Sequence, residues 1–283
     1  MAEWTETYRG TVAPWECDVT EHFTVAYYFE RIDQAGAALA DRLGLGDAHA
    51  AGIFPRRLNL RFTRELRAGA SFHIDSAPIG LDPALQLGHR VVDSASAETV
   101  TWVEEVWESP FAGLSAERRA AIGREMAPWE APAAEARPEP KTMAGAIPTA
   151  RGRVQPGNLD ELGHLSLAGF VHRFTDALLQ AISAIGFTAD YTKSARRGFS
   201  TFELTLRIAT APRQGDAYLV ETGIAHLGGS SIRFVHRMTD PRTGAELARL
   251  DQFGVQLDLD ARRPAPLPPE FRTAAAKLLL TLD

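Results

Sequence analysis

Cysteines, long apolar runs and basic clusters are all scarce in this chain. A single cysteine, Cys17, among 283 residues cannot form an internal disulfide, so no disulfide framework holds the fold. No stretch approaches the roughly 18 apolar residues of a membrane-spanning helix, and the N-terminal residues lack the apolar run of a signal peptide. The formal net charge is −6, which argues against a nucleic-acid partner. We therefore expect a cytoplasmic protein that binds neither membranes nor nucleic acid.

The chain does contain a long internal repeat. An Arg-Gly-x-Val-x-Pro segment followed by an aspartate and a histidine occurs twice, and its members lie 142 residues apart: Arg9 and Arg151, Asp18 and Asp160, His22 and His164. Further matches follow at slightly larger offsets, as short loop insertions produce. Because an acid and a histidine were copied with their spacing, the duplicated unit is expected to have carried a site as well as a fold.

The duplication predicts four segments. We expect a first repeat over residues 1–125, a Pro/Ala-rich linker over 126–148, a second repeat over 149–265 and a C-terminal helical tail over 266–283. Five prolines in the linker region favour an extended, semi-rigid chain that builds no core of its own. Each repeat alone has an ordinary domain length.

Both repeats show the same predicted order of elements. An extended segment leads through the aspartate and the histidine to a long helix, over 24–43 or 166–185, with a Thr or Ser cap before it and Gly44 or Gly186 after it. Alternating apolar and polar stretches then predict four antiparallel strands in each repeat: 57–62, 71–79, 85–93 and 100–107, then 202–208, 217–226, 231–239 and 247–257. One helix followed only by such strands excludes a doubly wound parallel sheet and indicates an α+β fold.

The segment around the first acid carries a resemblance to a known family. Trp15-Glu16-Cys17-Asp18-x-x-x-His22, followed by Val25-Ala26-Tyr27-Tyr28, resembles the acyl-CoA thioesterases of the 4-hydroxybenzoyl-CoA type. The family motif, roughly Asp-x-x-Gly-His-x-Asn, is similar to Asp160-Glu-Leu-Gly163-His164-Leu-Ser166, whereas the first repeat has Glu21 for Gly and Thr24 for Asn. The resemblance implies a tandem double hotdog, in which an antiparallel sheet wraps a central helix in each repeat.

The same resemblance implies that an acyl-CoA is hydrolysed to a free acid and CoA. A carboxylate acts as nucleophile or general base, and a helix N-terminus stabilises the oxyanion. The histidine orients the carboxylate or donates to the thioester oxygen. The residues expected to act are Asp160, His164, Ser166, Asp18, His22 and Thr24. We expect neither a cofactor nor a metal.

The two sites are not expected to be equal. Gly163 would let the backbone approach a thioester closely, whereas Glu21 brings bulk and, if it points inward, a like charge near Asp18. The second site is therefore predicted to be the stronger. Arg61 and Arg207 occupy equivalent strand positions and are candidates for binding the CoA phosphates.

Other functions fit the same architecture. Hotdog dehydratases and hydratases place prolines tightly around the histidine or the acid five positions before it, and neither form occurs here. A non-catalytic hotdog protein would bind acyl-CoA without turnover. The acyl group does not follow from the sequence, because side chains of both repeats would line one pocket. Because single-repeat relatives commonly form dimers of dimers, we expect a homo-oligomer, a dimer of double hotdogs.

Overall fold

The computed structural model describes residues 3–47, 57–107, 115–133, 135 and 137–282. The chain forms two compact units, Met1–Ala133 and Ala134–Asp283. None of the helices within the described ranges combines the length and apolar character needed to cross a lipid bilayer.

In the residues that the structure describes, the first unit is built around a long helix and an antiparallel sheet. In chain order its elements are β1 Thr5–Thr11, α1 Val25–Arg42, β2 Arg57–Phe62, β3 Ser71–Gly80, β4 Leu85–Asp93, β5 Thr99–Trp107 and α2 Ala116–Arg124. The strands lie in the order β1-β3-β4-β5-β2, and every neighbouring pair is antiparallel. Helix α1 packs on this sheet through β1, β3 and β4.

The second unit repeats this arrangement with additions. Its elements are β6 Ile147–Arg153, α3 Leu167–Ala184, α4 Ala189–Ala195, β7 Arg197–Ile208, β8 Ala217–Leu227, β9 Ser231–Thr239, β10 Glu246–Asp258, β11 Arg263–Pro264 and α5 Pro269–Ala276. The order β6-β8-β9-β10-β7 is the same as in the first unit, and the short β11 pairs with β10. The predicted α+β double-hotdog fold is confirmed. Helix α4 was not predicted.

The central helices begin and end where their caps predict. Helix α1 starts after Thr24 and α3 after Ser166, and each ends two residues before its glycine. Those glycines adopt left-handed backbone angles, with φ of +66° at Gly44 and +117° at Gly186. A side chain would strain the backbone there, so glycine fixes where each helix stops.

A buried polar chain crosses the sheet at the same place in both units. In the first, the hydroxyls of Thr7 and Ser76 lie 2.6 Å apart, and Ser76 Oγ lies 2.6 Å from His89 Nδ1. The second unit has the same contacts at 2.7 Å each, between Thr149, Thr222 and His236. Burial lowers the pKa of His236 from 6.5 to about 3, so its imidazole is neutral. These histidines pack and bond inside the fold.

The segments after each hotdog are also related. Ile122 of α2 and Ala275 of α5 join equivalent apolar clusters around the C-terminal halves of the central helices. Beyond each helix the chain pairs with the same strand position, Ala127 N with the Pro78 carbonyl at 3.0 Å and Leu280 N with the Ile224 carbonyl at 2.8 Å. The start of the linker region and the C-terminal tail are therefore equivalent parts of the duplicated unit.

Candidate functional site

Each acid-x-x-x-His segment forms a tight turn immediately before a central helix. The turn is closed by backbone hydrogen bonds from the aspartate N–H to the histidine carbonyl, 2.9 Å for Asp18 and His22 and 2.8 Å for Asp160 and His164. A single bridge outside the turn, Cys17 with Phe23 or Leu159 with Leu165, continues the pairing. The backbone therefore holds the acid and the histidine at a fixed separation in both repeats.

One oxygen of each carboxylate stabilises the turn itself. Asp18 Oδ1 accepts from the backbone N–H of Thr20 at 2.8 Å, from the Thr20 hydroxyl at 2.6 Å and from the His22 N–H at 3.3 Å. Asp160 Oδ1 accepts from the N–H groups of Leu162 and His164, both at 2.9 Å. Only the second oxygen, Oδ2, is left for chemistry in either repeat.

The surroundings of Oδ2 differ between the repeats. Asp18 is exposed to solvent, so water or a substrate carbonyl can reach its carboxylate. The Asp160 side chain is only 14% exposed, and its Oδ2 is buried without a hydrogen-bond partner among the described residues. A buried carboxylate oxygen is costly to leave unbonded, but solvent does not reach it in this conformation.

The histidine of the first repeat lies in a hydrogen-bonded row. His22 Nδ1 is 3.1 Å from the Thr20 hydroxyl, and Nε2 is 2.9 Å from the Glu65 carboxylate. Because the Thr20 hydroxyl donates to Asp18, its oxygen is left to accept from Nδ1–H. Glu65 lies on the other side of the imidazole, at Nε2. The first repeat thus contains a continuous row, Asp18-Thr20-His22-Glu65.

The second repeat has different residues at two positions of this row. His164 Nδ1 lies 3.9 Å from Asp160 Oδ1, which is beyond hydrogen-bond distance. Leu162 stands where the first repeat has Thr20. The position equivalent to Glu65 is Ala211, because the next residues, Leu66 and Pro212, give their carbonyls to equivalent N–H groups.

The residue before each histidine adopts a left-handed backbone conformation. Gly163 has a φ of +78° and Glu21 a φ of +67°, so the turn demands a left-handed residue here. A Cβ at Gly163 would meet no protein atom within 4 Å, so the backbone angle is the constraint that the protein itself imposes on this position. Glu21 points outward into an exposed ion pair with Arg67. The Arg67 guanidinium therefore partly neutralises the Glu21 carboxylate.

The helix N-termini offer donors next to both acids. Thr24 and Ser166 are the N-cap residues, and their own N–H groups bond to the carbonyls of Glu16 at 2.8 Å and Asn158 at 2.9 Å. The Ser166 hydroxyl accepts from Gly169 N at 3.0 Å, whereas the Thr24 side chain makes no capping bond. The first N–H groups inside each helix have no intrahelical acceptor and suit a developing oxyanion.

Other ionisable groups near the turns are structural. Glu16 is buried, accepts from Ala13 N at 2.8 Å and pairs with Arg31 at 2.5 Å. Burial raises the pKa of Tyr28 well above its usual range, so this phenol remains protonated and cannot act as a base. No cluster arranged for a metal ion occurs among the described residues.

The two arginines considered for CoA phosphates are not joined to the acid turns. Arg207 pairs with Glu139 of the linker region at 3.2 Å. Arg61 alternates with the buried Leu58 and Leu60, so it lies on the other face of its strand. Neither arginine forms an ion pair or hydrogen bond with either turn among the described residues. Their role in CoA binding stays a prediction.

The second repeat matches the sequence model of a known family. The sequence model of the Thioesterase-like superfamily matches residues 154–275, which include Asp160 and His164. The second repeat is therefore similar to the thioesterase-like superfamily over most of its length. The family predicted from the acid motif is thereby confirmed for this repeat. A search of curated proteins finds no match to the chain.

Solved thioesterase structures share the fold over most of the chain. A Lactobacillus plantarum protein provisionally described as an oleoyl thioesterase has a TM-score of 0.68 at 13% identity, covering 90% of this chain and 97% of its own. An acyl-ACP thioesterase from Bacteroides thetaiotaomicron has a TM-score of 0.65 at 11% identity, covering 87% and 96%. The 12:0-ACP thioesterase from Umbellularia californica has a TM-score of 0.61 at 11% identity, covering 88% and 92%. At these identities the likeness establishes the double-hotdog fold.

Proposed function

We propose that the protein is a thioester hydrolase that cleaves an acyl-CoA to a free acid and CoA, with its turnover site in the first repeat. The observation that carries this proposal is the row Asp18-Thr20-His22-Glu65, which joins an exposed carboxylate to a histidine with its own carboxylate partner. The match of the second repeat to the thioesterase-like superfamily supports the reaction class.

The reaction needs a base, a donor for the oxyanion and a proton for the leaving thiolate. Asp18 Oδ2 accepts a proton from water as the water oxygen attacks the thioester carbon. N–H groups at the start of α1 stabilise the negative oxygen of the tetrahedral intermediate. Collapse breaks the C–S bond, and the thiolate takes the proton shared by His22 and Glu65. Asp18 then returns its proton to that pair through Thr20 or solvent.

In this proposal the second repeat retains catalytic residues but does not carry the main turnover. Asp160, His164 and Ser166 retain the family motif, and the same chemistry is open to them if a substrate reaches Asp160 Oδ2. Arg61 and Arg207 remain candidates for the CoA phosphates. Assembly as a dimer of double hotdogs is part of the proposal, and light scattering measures it directly.

The deciding experiment is thiol release from a panel of acyl thioesters by the purified chain. The panel contains short, long and aromatic acyl-CoAs, with the matching acyl-ACPs because two structural neighbours bear that name. Catalytic release of thiol from acyl-CoA supports the proposal. Saturable acyl-CoA binding without release would identify a non-catalytic binding protein. Release from acyl-ACP alone would show that the substrate is an acyl-ACP and not an acyl-CoA.

A further inference from the structure

Two large apolar side chains close to Asp18 in sequence are exposed to solvent. Trp15 is 80% exposed and Val19 is 68% exposed, and they lie three residues before and one residue after Asp18. Single exposed apolar residues are common on protein surfaces and need no explanation by themselves. Two exposed apolar residues on either side of the proposed catalytic acid in sequence do need an explanation.

These side chains stand on a firmly held backbone. Trp15 is the middle residue of the helical turn Pro14–Glu16. The Glu16 side chain bonds to Ala13 N at 2.8 Å and to Arg31 at 2.5 Å, and the backbone carbonyl of Glu16 accepts from Thr24 N at 2.8 Å. The indole is therefore presented to solvent by a rigid turn, which lowers the entropy lost when a ligand covers it.

The second repeat shows that the turn does not require them. It has the same helical turn, Pro156–Asn158, with Asn158 bonded to Arg173 at 3.1 Å and to Ser166 N at 2.9 Å. Yet Gly157 and Glu161 occupy the positions of Trp15 and Val19. Because the copied turn folds with glycine and glutamate, the apolar pair serves something other than folding.

We propose that Trp15 and Val19 bind the acyl chain of the thioester and give the first site a preference for long apolar acyl groups. The inference rests on the proposed function, because it takes the reacting carbonyl to lie at Asp18. A thioester carbonyl has an acyl chain on one side and the polar amides of a pantetheine arm on the other. Exposed indole and isopropyl groups match the acyl chain, whose burial against them is favourable.

The test grafts the second repeat's own residues onto the first. The variant Trp15→Gly with Val19→Glu is compared with the wild type and with Leu179→Ala, which removes a half-exposed leucine from α3. The kcat/KM is measured with acetyl-CoA and dodecanoyl-CoA below its micelle concentration. We expect the dodecanoyl value to fall about 10- to 60-fold, the contribution of two to three buried methylene groups. The acetyl value and all values of the leucine variant should change less than about twofold.

Other results overturn the inference. An equal fall for both acyl lengths, or no fall for either, would show that the pair does not contact the chain. A uniform fall accompanied by a smaller mass in light scattering would show that it is an interface between copies of the protein. If the wild type hydrolyses neither thioester, the proposed function fails separately. In that case the binding of uncleavable dodecyl and ethyl thioether analogues tests the inference. The inference predicts that the wild type binds the dodecyl analogue more tightly than the ethyl analogue and that the double variant loses this preference.

Discussion

Replacement of Glu65 by glutamine tests the contact between Glu65 and His22 in the first site. Glu65 lies 2.9 Å from His22 Nε2 and its side chain is 32% exposed. Glutamine keeps the size and can still accept a hydrogen bond through its carbonyl oxygen, but the negative charge is lost. The substitution therefore changes the electrostatic support of His22 with little change in packing.

The magnitude follows from the type of bond and its exposure. A hydrogen bond to a charged group contributes about 1.5–3 kcal/mol and a neutral one about 0.5–1.5, so the charge accounts for roughly 1–1.5 kcal/mol. Solvent reaches a third of the Glu65 side chain and screens part of this. We expect kcat to fall about fivefold, equivalent to about 1 kcal/mol. KM should remain nearly constant because Glu65 acts through His22 and not on bound substrate.

The assay is steady-state thiol release at saturating and limiting acyl-CoA, with the thermal unfolding midpoint as a check on folding. Glu246→Gln is the matched control, since Glu246 forms a partly exposed ion pair with Arg249 in the second unit. The reasoning is refuted if Glu65→Gln equals this control while His22→Gln is strongly impaired. It is also refuted if the loss appears entirely in KM.

Three further predictions concern the turns and the core. Gly163→Ala should lower stability by about 1–2 kcal/mol in denaturant titrations through its left-handed backbone alone, whereas Glu21→Gly should stay within about 1 kcal/mol of the wild type. Ser166→Ala should lose about 1 kcal/mol and Thr24→Ala clearly less, because only Ser166 forms a capping bond, and equal losses in calorimetry would contradict this. Protonation of His236 favours the unfolded chain, because its folded pKa of about 3 lies below 6.5. Stability should therefore fall by about 1.4 kcal/mol per pH unit as the pH drops below 6.5, with a shallower slope in His236→Gln.

Much of the fold follows from the sequence because its signals are local. Alternating apolar residues place strands β2 to β5 within one residue, and the caps and glycines place both ends of α1 and α3. Helix α4 was missed because it is only seven residues long and Tyr191 alone packs on the apolar cluster, so it carries no periodic pattern. The equivalence of α2 and α5 was not predicted, because the two helices occupy the same position in the fold but have little sequence similarity.

The site was only partly predictable, for a reason inherent in the duplication. Searching for residues shared by both repeats finds Asp18 and His22 but passes over Thr20 and Glu65, whose counterparts are Leu162 and Ala211. Thr20 could have been noticed as a hydroxyl between the acid and the histidine. Glu65 could not, because its contact with His22 depends on how the chain after β2 folds back on the turn.

The central claim is that the first repeat carries the turnover. Asp18→Asn and Asp160→Asn, compared by kcat for one acyl-CoA at equal protein stability, test it most directly. The account predicts a loss of about 100-fold or more for Asp18→Asn, on the scale of a missing general base, and a much smaller loss for Asp160→Asn. The reverse pattern would place catalysis in the second repeat, and unchanged turnover in the double variant would remove both acids from the mechanism.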